Sequence, residues 1–321
     1  MKRGIALLII SLVVGASLQA QQKPHYTQYM QNMSVLNPAV TGMYHELTIR
    51  SGYRTQWVGL ESAPKTSYFT ISKPINIGNT RSGNVDYGIN DPATKSDKSG
   101  YFSSLSHHGI GLVALNDETG PITRTTLNFT YAYHINISDA ANLAVGVGAG
   151  VNRVSLNTSK LRFEDSNEPV IASGGNLTRW SPDLNAGIYF YSASVFVGGV
   201  IQQALNQRLS FAENYESGKE VPHFFITTGC RLWVREDFSI FPSVTLKQLK
   251  PLPMAYDVNV KVAYRNNLWI GSSFRKGDSY SAMFGFNVAK SVSLGYAFDN
   301  TFSKLRDVNT GSHEIVLGIN F

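Results

Sequence analysis

The sequence predicts an all-β protein, a transmembrane antiparallel up-and-down β-barrel of about 14 strands. Three observations lead to this prediction: an N-terminal export signal, repeated segments in which apolar and polar residues alternate, and connections that are alternately short and long. Strands with one face toward lipid and one toward a lumen average to a low mean hydropathy, here −0.11. After residue 20 no run approaches 18 apolar residues, which excludes a helical membrane protein.

The first 20 residues have the pattern of a cleaved signal peptide. Lys2 and Arg3 form a positive start, Ile5–Val14 is apolar except for Ser11, and Ala16–Ala20 supplies small residues. The apolar run is shorter than the roughly 20 residues of a membrane-spanning helix, so an uncleaved anchor is the less favoured alternative. We therefore expect three parts, listed by residue number: signal peptide 1–20, pre-barrel segment 21–43 and outer-membrane barrel 44–321.

Alternation with a period of two divides the rest of the chain into strand-length segments. In the segment 253–264, for example, Val258, Val260 and Val262 share one face, and Asp257 and Lys261 share the other. Each segment is close to the 9–11 residues that a tilted strand needs to cross a bilayer. The predicted strands are 45–56, 64–74, 108–116, 122–136, 141–153, 182–192, 194–203, 223–234, 237–247, 253–264, 267–275, 279–289, 291–299 and 311–321.

The polar faces of these strands favour a barrel lumen over bulk water. They carry mainly Gly, Ala, Ser, Asn and Thr, whereas the outer face of a soluble β-sandwich is usually rich in Lys, Glu and Thr. Small inward residues suit a crowded lumen. The isolated charges on these faces should be paired with other lumenal groups. They are Arg50, Arg54, Arg124, Arg231, Asp257, Lys261 and Glu314.

Connection lengths support the same topology. With both chain ends in the periplasm, the connections there are very short, for example at 138–140, and the outside loops 155–181, 204–222 and 300–310 are long. Outer-membrane barrels have this asymmetry. The exception is 75–107, a long segment rich in Gly, Ser, Asn and Asp. Either it is an unusual periplasmic excursion or a nearby strand is misplaced.

Aromatic residues give two further expectations. The chain ends on an alternating strand whose last residue is Phe321, the usual signal for the bacterial barrel-assembly machinery. Trp57, Trp233 and Trp269 lie near predicted strand ends, as an interfacial aromatic belt requires.

The sequence offers little support for catalysis or nucleic-acid binding. Its net charge of +6 is spread along the chain, so we expect no nucleic-acid partner. The glycine-rich stretch Gly146–Arg153 lies inside an alternating strand with no helix after it, which excludes a phosphate loop. His107, His108 and His223 match no metal-ligand spacing, and the single cysteine, Cys230, builds no thiolate cluster. We expect a non-enzymatic protein without cofactor or metal.

Two groups of motifs resemble one family. The first lies before the barrel: Gln28-Tyr29, then Leu36-Asn37-Pro38-Ala39, then Gly42. The second spans Tyr53–Gly59, with Arg54, Gln56 and Trp57, and Ala63–Thr66, with Pro64 and Thr66. In combination these residues resemble the PorP/SprF family of type IX secretion system outer-membrane proteins. Residues 76–107 look like an insertion relative to this family.

The resemblance implies a non-enzymatic barrel in secretion and gliding motility. Its implied partners are periplasmic and outer-membrane components of type IX secretion, a large secreted adhesin-like substrate, outer-membrane lipid and the barrel-assembly machinery. The main alternative is a passive porin or a hydrophobic-ligand channel, which the polar lumen would suit. A soluble surface β-sandwich adhesin is the third reading.

The pre-barrel residues are expected to return into the barrel. Tyr26–Gly42 is rich in aromatic and amide side chains and nearly uncharged, which suits a confined polar cavity better than bulk water. Asn37-Pro38 favours a turn that breaks any helix. We expect an ordered plug in the barrel mouth, with a frayed periplasmic tail as the alternative.

Overall fold

The computed structural model describes residues 26–44, 46–75, 103–160, 176–205, 221–235, 237–249, 252–265, 267–289 and 291–321. They form one antiparallel sheet of fourteen strands, the eighth interrupted at Arg231. The strands are β1 Thr48–Thr55, β2 Lys65–Ile75, β3 His107–Thr119, β4 Ile122–Ser138, β5 Ala141–Asn157, β6 Asn176–Ser192, β7 Val195–Gln202, β8 His223–Cys230 with Leu232–Arg235, β9 Phe238–Leu249, β10 Ala255–Tyr264, β11 Leu268–Arg275, β12 Ser279–Ala289, β13 Val292–Thr301 and β14 Ser312–Asn320.

The sheet closes on itself. β1 pairs with β2 on one side and with β14 on the other, in a continuous register from Thr48 opposite Asn320 to Thr55 opposite His313. Every other strand pairs with its neighbours in sequence. Closure supplies hydrogen-bond partners along the strands without an open sheet edge in lipid. The predicted fourteen-stranded barrel is confirmed.

Several strands extend beyond their predicted bounds. β5 continues to Asn157 and β6 begins at Asn176, six residues before the predicted start at 182. Their pairing runs on through Arg153 opposite Trp180 and Ser155 opposite Thr178. These extensions are mostly polar, so the apolar alternation that revealed the strands is missing there. The predicted outer loop 155–181 is therefore shorter, and its part 161–175 lies outside the described residues.

The two faces of the barrel have the predicted chemistry. In β4, Ala132 and His134 are fully buried, while Phe129 and Tyr131 are 68% and 44% exposed. The same parity places Arg50 and Arg54 inward and Tyr53 outward in β1. Apolar side chains thus face lipid, and polar or small side chains line the interior.

The predicted tryptophan belt is wrong at two of its three positions. Trp269 is buried because its neighbours Leu268 and Ile270 take the outward positions of β11. Trp233 has the inward parity of Arg231, whose guanidinium carbon lies 5.0 Å from the Trp233 ring centroid. Proximity to a strand end led to the error, because inward or outward direction depends on parity along the strand.

The two ends of the barrel differ in their connections. At one end, which we call the short-turn end, β4–β5 and β6–β7 are joined by two residues each. At the other, the long-loop end, lie the connections after β1, β5, β7 and β13. The β2–β3 connection is the exception, and its residues 76–102 lie outside the described part. Ser103 returns at the short-turn end, where its N–H donates to Asp139 O at 2.9 Å.

Helices are limited to single turns in the described residues. None of them has the length and apolar character needed to cross a membrane. The predicted signal peptide, residues 1–20, lies outside the described part of the chain.

Candidate functional site

Residues 26–44, here called the inner segment, lie inside the barrel. They form a 3-10 turn at Tyr29–Gln31, an α-helical turn at Met33–Leu36 and a second 3-10 turn at Pro38–Val40. These turns pack their apolar side chains on inward aromatic residues of the wall, namely Tyr189, Tyr191, Phe196, Phe241 and Trp269. The segment is therefore the apolar core of an otherwise polar lumen.

The Leu36-Asn37-Pro38-Ala39 motif attaches the segment to the wall. Asn37 Oδ1 accepts a hydrogen bond from the Ala39 N–H at 2.9 Å and so caps the second 3-10 turn. Asn37 Nδ2 donates to Ile188 O of β6 at 3.2 Å and to Gly199 O of β7 at 3.3 Å. Pro38 suits the first position of that turn because its fixed φ is helical and no N–H is needed there.

One glycine of β5 leaves room for this turn. A Cβ at Gly146 would lie 2.4 Å from the Ala39 nitrogen, closer than any real contact. Gly146 thus has a steric role within the stretch Gly146–Arg153, since it lets the wall approach the backbone of the inner segment.

A buried ion-pair group holds the start of the inner segment. Arg54 of β1 forms ion pairs with Asp299 of β13 and, at 3.2 Å, with Glu314 of β14, and all three side chains are at most 1% exposed. We call these three residues the carboxylate clamp. Arg54 Nη1 also donates to Thr27 Oγ1 at 2.9 Å. Fixed planar donors make Arg well suited to such a multiple contact.

Glu314 is the centre of the clamp. Its carboxylate accepts the backbone N–H of Thr27 at 2.8 Å and that of Gln28 at 3.1 Å. It also accepts the hydroxyl of Tyr68 at 3.3 Å, and the Gln28 side-chain amide donates to Glu314 O at 3.1 Å. With Arg54, four donors surround one carboxylate, which offsets the cost of burying its charge.

Tyr29 joins the segment to the opposite wall. Its hydroxyl oxygen accepts hydrogen bonds from Thr245 Oγ1 of β9 at 2.8 Å and from Asn259 Nδ2 of β10. Burial raises the pKa of the Tyr29 phenol above its usual value, so the group stays neutral. The Gln28-Tyr29 motif therefore connects both sides of the lumen through adjacent residues.

A pair of histidines holds the exit of the segment at the short-turn end. His134 Nε2 donates to Thr41 O at 2.8 Å, and His107 Nε2 donates to Gly42 O at 3.1 Å. The two rings are stacked, with centroids 4.4 Å apart. His134 Nδ1 contacts the Tyr191 hydroxyl at 2.9 Å, which fixes the orientation of its ring.

Gly42 makes the turn from the lumen to the wall. Its φ of +73° lies in the left-handed region, and a Cβ there would come within 2.4 Å of Gly109 Cα in β3. Only glycine meets both conditions without strain, which explains the last residue of the first motif.

The second motif group lies mainly at the long-loop end, apart from the inner segment. The Gln56 N–H donates to Pro64 O at 2.9 Å, and the Trp57 N–H donates to Ser312 Oγ at 3.1 Å. Thr66 Oγ1 donates to Asp117 Oδ1 at 2.6 Å. These residues shape the β1–β2 connection, and Arg54 of this group contacts Thr27 of the inner segment.

Phe321 lies on the outside of the barrel, away from these contacts. Its ring is 70% exposed, and its N–H and C=O pair with Leu47 at 2.9 and 3.1 Å. The last residue therefore completes the ladder between β14 and β1.

Sequence reasoning did not connect Asp299, Tyr68 or the histidine pair with the motifs. Each is a polar or aromatic residue at an inward position of its strand. Its place in the alternation of inward and outward side chains is the sequence feature that indicates a lumenal contact. In the described part of the chain, no group of three His, Cys, Asp or Glu side chains is arranged to hold a metal ion.

The family model for the type IX secretion system membrane protein PorP/SprF matches residues 18–319. The chain belongs to the PorP/SprF family. The match includes the inner segment and the barrel up to the last residues of β14, so the resemblance seen in the motifs is confirmed. Membership in PorP/SprF together with the barrel places the protein in the outer membrane, with a role in type IX secretion and contacts with components of that system.

Solved structures similar to this PorP/SprF barrel include an outer membrane protein and a transporter. Omp33 of Acinetobacter baumannii is 8% identical with a TM-score of 0.49, over 88% of this chain and 100% of that one. The toluene transporter TbuX of Ralstonia pickettii is 11% identical with a TM-score of 0.48, over 89% and 92%.

A TodX mutant, described as a monoaromatic hydrocarbon channel, is 8% identical with a TM-score of 0.50, over 90% of this chain and 93% of that one. Likeness at this identity bears on the fold alone. No curated protein gives a significant match.

Proposed function

We propose that this protein is a non-enzymatic partner of type IX secretion that attaches or exports a large adhesin-like substrate through protein contacts, with the inner segment as a plug. Family membership supports the secretion role. The observation that carries the proposal is the inner segment, held in the lumen by the carboxylate clamp at one end and the histidine pair at the other.

The inner segment in the lumen supports contact over passage. A passive porin needs an aqueous channel, whereas Asn37 and Tyr29 of the inner segment contact strands on different sides of this lumen. The surfaces left for a substrate are the loops and the barrel mouths. We assign the adhesin to the long-loop end and the periplasmic components to the short-turn end, with gliding motility as the process served.

The proposal includes the route to the membrane. Residues 1–20 act as a signal peptide that is removed, and residues 21–43 then form the pre-barrel segment ahead of the barrel at 44–321. Phe321, exposed directly after the last strand, is the residue that the barrel-assembly machinery recognises.

The test is isolation of the protein from its native envelope. A peptide tag inserted beside Asp307, an exposed residue in the β13–β14 connection, leaves both chain ends unchanged. After mild cross-linking and detergent extraction, the tagged protein should bring down type IX components and one large adhesin-like protein. An unrelated porin with the same tag is the control. Recovery of the same proteins with both baits, or of porins alone, contradicts the proposal.

A deletion strain gives a second readout. Loss of the gene should remove the adhesin from the cell surface and reduce gliding, while small-molecule permeability stays the same. A permeability defect with normal surface adhesin would instead support the passive channel.

A further inference from the structure

A cavity of about 400 Å³ lies in the lumen beside the inner segment, with Leu36 in its lining. Its volume is within the roughly 300–1,000 Å³ range of small-molecule sites. A row of four wall residues pairs in register across neighbouring strands here: Val113 of β3, Asn128 of β4, Gly150 of β5 and Asp183 of β6. All but Gly150 belong to the lining, so an apolar side chain, an amide and a carboxylate share one wall of the cavity.

Gly150 lets the two polar side chains of this row meet. It stands between Asn128 and Asp183 in the register, and a Cβ there would lie 2.3 Å from Asn128 Oδ1. Asn128 Nδ2 donates to Asp183 Oδ2 at 2.5 Å, and Asn185 Nδ2 donates to the same oxygen at 2.9 Å. Two amides therefore hold the carboxylate in one position.

The charge of Asp183 is compensated only by neutral groups in the described part of the chain. Its side chain is 5% exposed, and none of the ion pairs between described residues includes it. Asn128 Oδ1 is a buried acceptor without a donor among these residues, and its dipole adds negative potential beside the carboxylate. Since a buried charge is costly without a counter-charge, this wall favours a ligand that brings a positive one.

The two lysines in the lining leave this negative charge in place. The ammonium of Lys247 lies 2.5 Å from Asp257 Oδ2, so these two charges cancel. The ammonium of Lys276 lies 5.3 Å from the ring centroid of Tyr256, which is outside the lining. Asp183 is the one acidic residue among the described lining residues, and it sets the preference of this wall for a cation.

We propose that this cavity binds a small aliphatic amine in its ammonium form. The ammonium donates charge-assisted hydrogen bonds to the Asp183 carboxylate, which are shorter and stronger than those of a neutral donor. The alkyl part lies against Val113 of the same row and against Leu36 of the inner segment, where it is removed from water. An alcohol of the same length fits the apolar part but brings no positive charge to Asp183.

The experiment uses the full-length protein in nanodiscs of phosphatidylcholine, with empty nanodiscs subtracted. The probe is dansylcadaverine, a primary alkylammonium whose fluorescence rises in apolar surroundings. We expect saturable binding that hexylammonium displaces. Hexanol and hexanoate should displace the probe less well by about tenfold or more, because neither brings a cation to the carboxylate. This comparison uses the unaltered protein and needs no variant.

Two aspartate substitutions locate the site. Asp183→Asn removes the charge with little change in size and should weaken probe binding by about tenfold or more. Asp117→Asn is the matched control, because Asp117 accepts hydrogen bonds from Thr66 and Thr119 outside the cavity lining. It should bind the probe like the unaltered protein. Heat-modifiable migration on gels checks that each variant is folded.

Several outcomes overturn the proposal. They are absence of saturable binding, equal competition by hexanol, and equal binding by folded Asp183→Asn. Displacement by potassium chloride at the concentrations that suffice for hexylammonium would identify a site for inorganic cations and overturn it as well. If Asp183→Asn does not fold, Val113→Phe takes its place, since a larger side chain fills the apolar part and should abolish binding.

Discussion

At the scale of single residues, Glu314 has the most demanding position in the lumen. Its carboxylate is fully buried and receives donors from Arg54, Tyr68 and two backbone groups of the inner segment. We expect Glu314→Gln to lower the free energy of unfolding by about 3 kcal/mol, because Arg54 loses half of its buried counter-charge. Urea titration in lipid vesicles measures this change.

The control for this change is Glu118→Gln. Glu118 is 44% exposed and forms an ion pair with Lys160 at 2.7 Å, so its loss should cost less than about 1 kcal/mol. Equal effects of the two substitutions would show that Glu314 is an ordinary surface-like carboxylate and would contradict the role assigned to the clamp.

A second residue-scale prediction separates two glycines on the same inward face of β5. Gly146→Ala places a methyl group against the Ala39 backbone, whereas a Cβ at Gly148 meets its nearest atom, Thr130 Cγ2, at an ordinary 3.4 Å. We expect Gly146→Ala to displace the inner segment and raise single-channel current in planar bilayers. The Gly148→Ala variant should give no more current than the unaltered protein. Current from both variants, or from neither, would rule out the close packing described for β5.

At the scale of elements, the inner segment lies inside the barrel and packs on inward aromatic residues of its wall, which supports its proposed role as a plug. Deletion of residues 22–42 removes the contacts that this segment makes with the clamp and with the aromatic residues of the wall. The residues Thr48–Thr55, which pair with β14, are all kept. We expect a folded barrel with steady conductance, measured in planar bilayers against the full-length protein. A deletion variant that is folded but still closed would show that the segment is not the plug.

The sequence predicted the positions of the strands, but it did not predict which side chains meet between them. Strand positions were predictable because one face meets lipid and the other the lumen, which gives each crossing its own alternation. The partners of Arg54 were not predictable, because Asp299 and Glu314 are more than 240 residues away and reach it only through barrel closure. The role of Asn37 was equally hidden, since Ile188 and Gly199 contribute only backbone carbonyls to it.

The tryptophans show a different limit. Sequence position near a strand end suggested an interfacial belt, but Trp269 packs on Lys261 inside the barrel, with the ammonium 5.7 Å from its ring centroid. Trp180 of β6 is 64% exposed. It lies in the part of β6 that was not predicted as strand, because its residues are mostly polar. In both cases the inward or outward direction of the side chain determined whether the tryptophan is exposed, and its distance from the strand end did not.

At the scale of the whole molecule, barrel closure brings together the groups that hold the inner segment. The clamp joins β1, β13 and β14, the Asn37 contacts join β6 and β7, and Tyr29 joins β9 and β10. The inner segment is thus hydrogen-bonded to strands around the ring, and these strands come together only in the closed barrel. This arrangement fits a protein that presents loops and mouths to partners from a rigid base.

The orientation of the whole barrel gives the last prediction. Long loops face the outside in barrels of this kind and short turns face the periplasm. In a Cys230→Ser background, Ser159→Cys lies at the long-loop end and Ala140→Cys at the short-turn end, and both positions are exposed. A membrane-impermeant maleimide added to intact cells should label Ser159→Cys and leave Ala140→Cys unlabelled until the outer membrane is permeabilised. The reverse pattern would invert the barrel and exchange the surfaces assigned to the adhesin and to the periplasmic components.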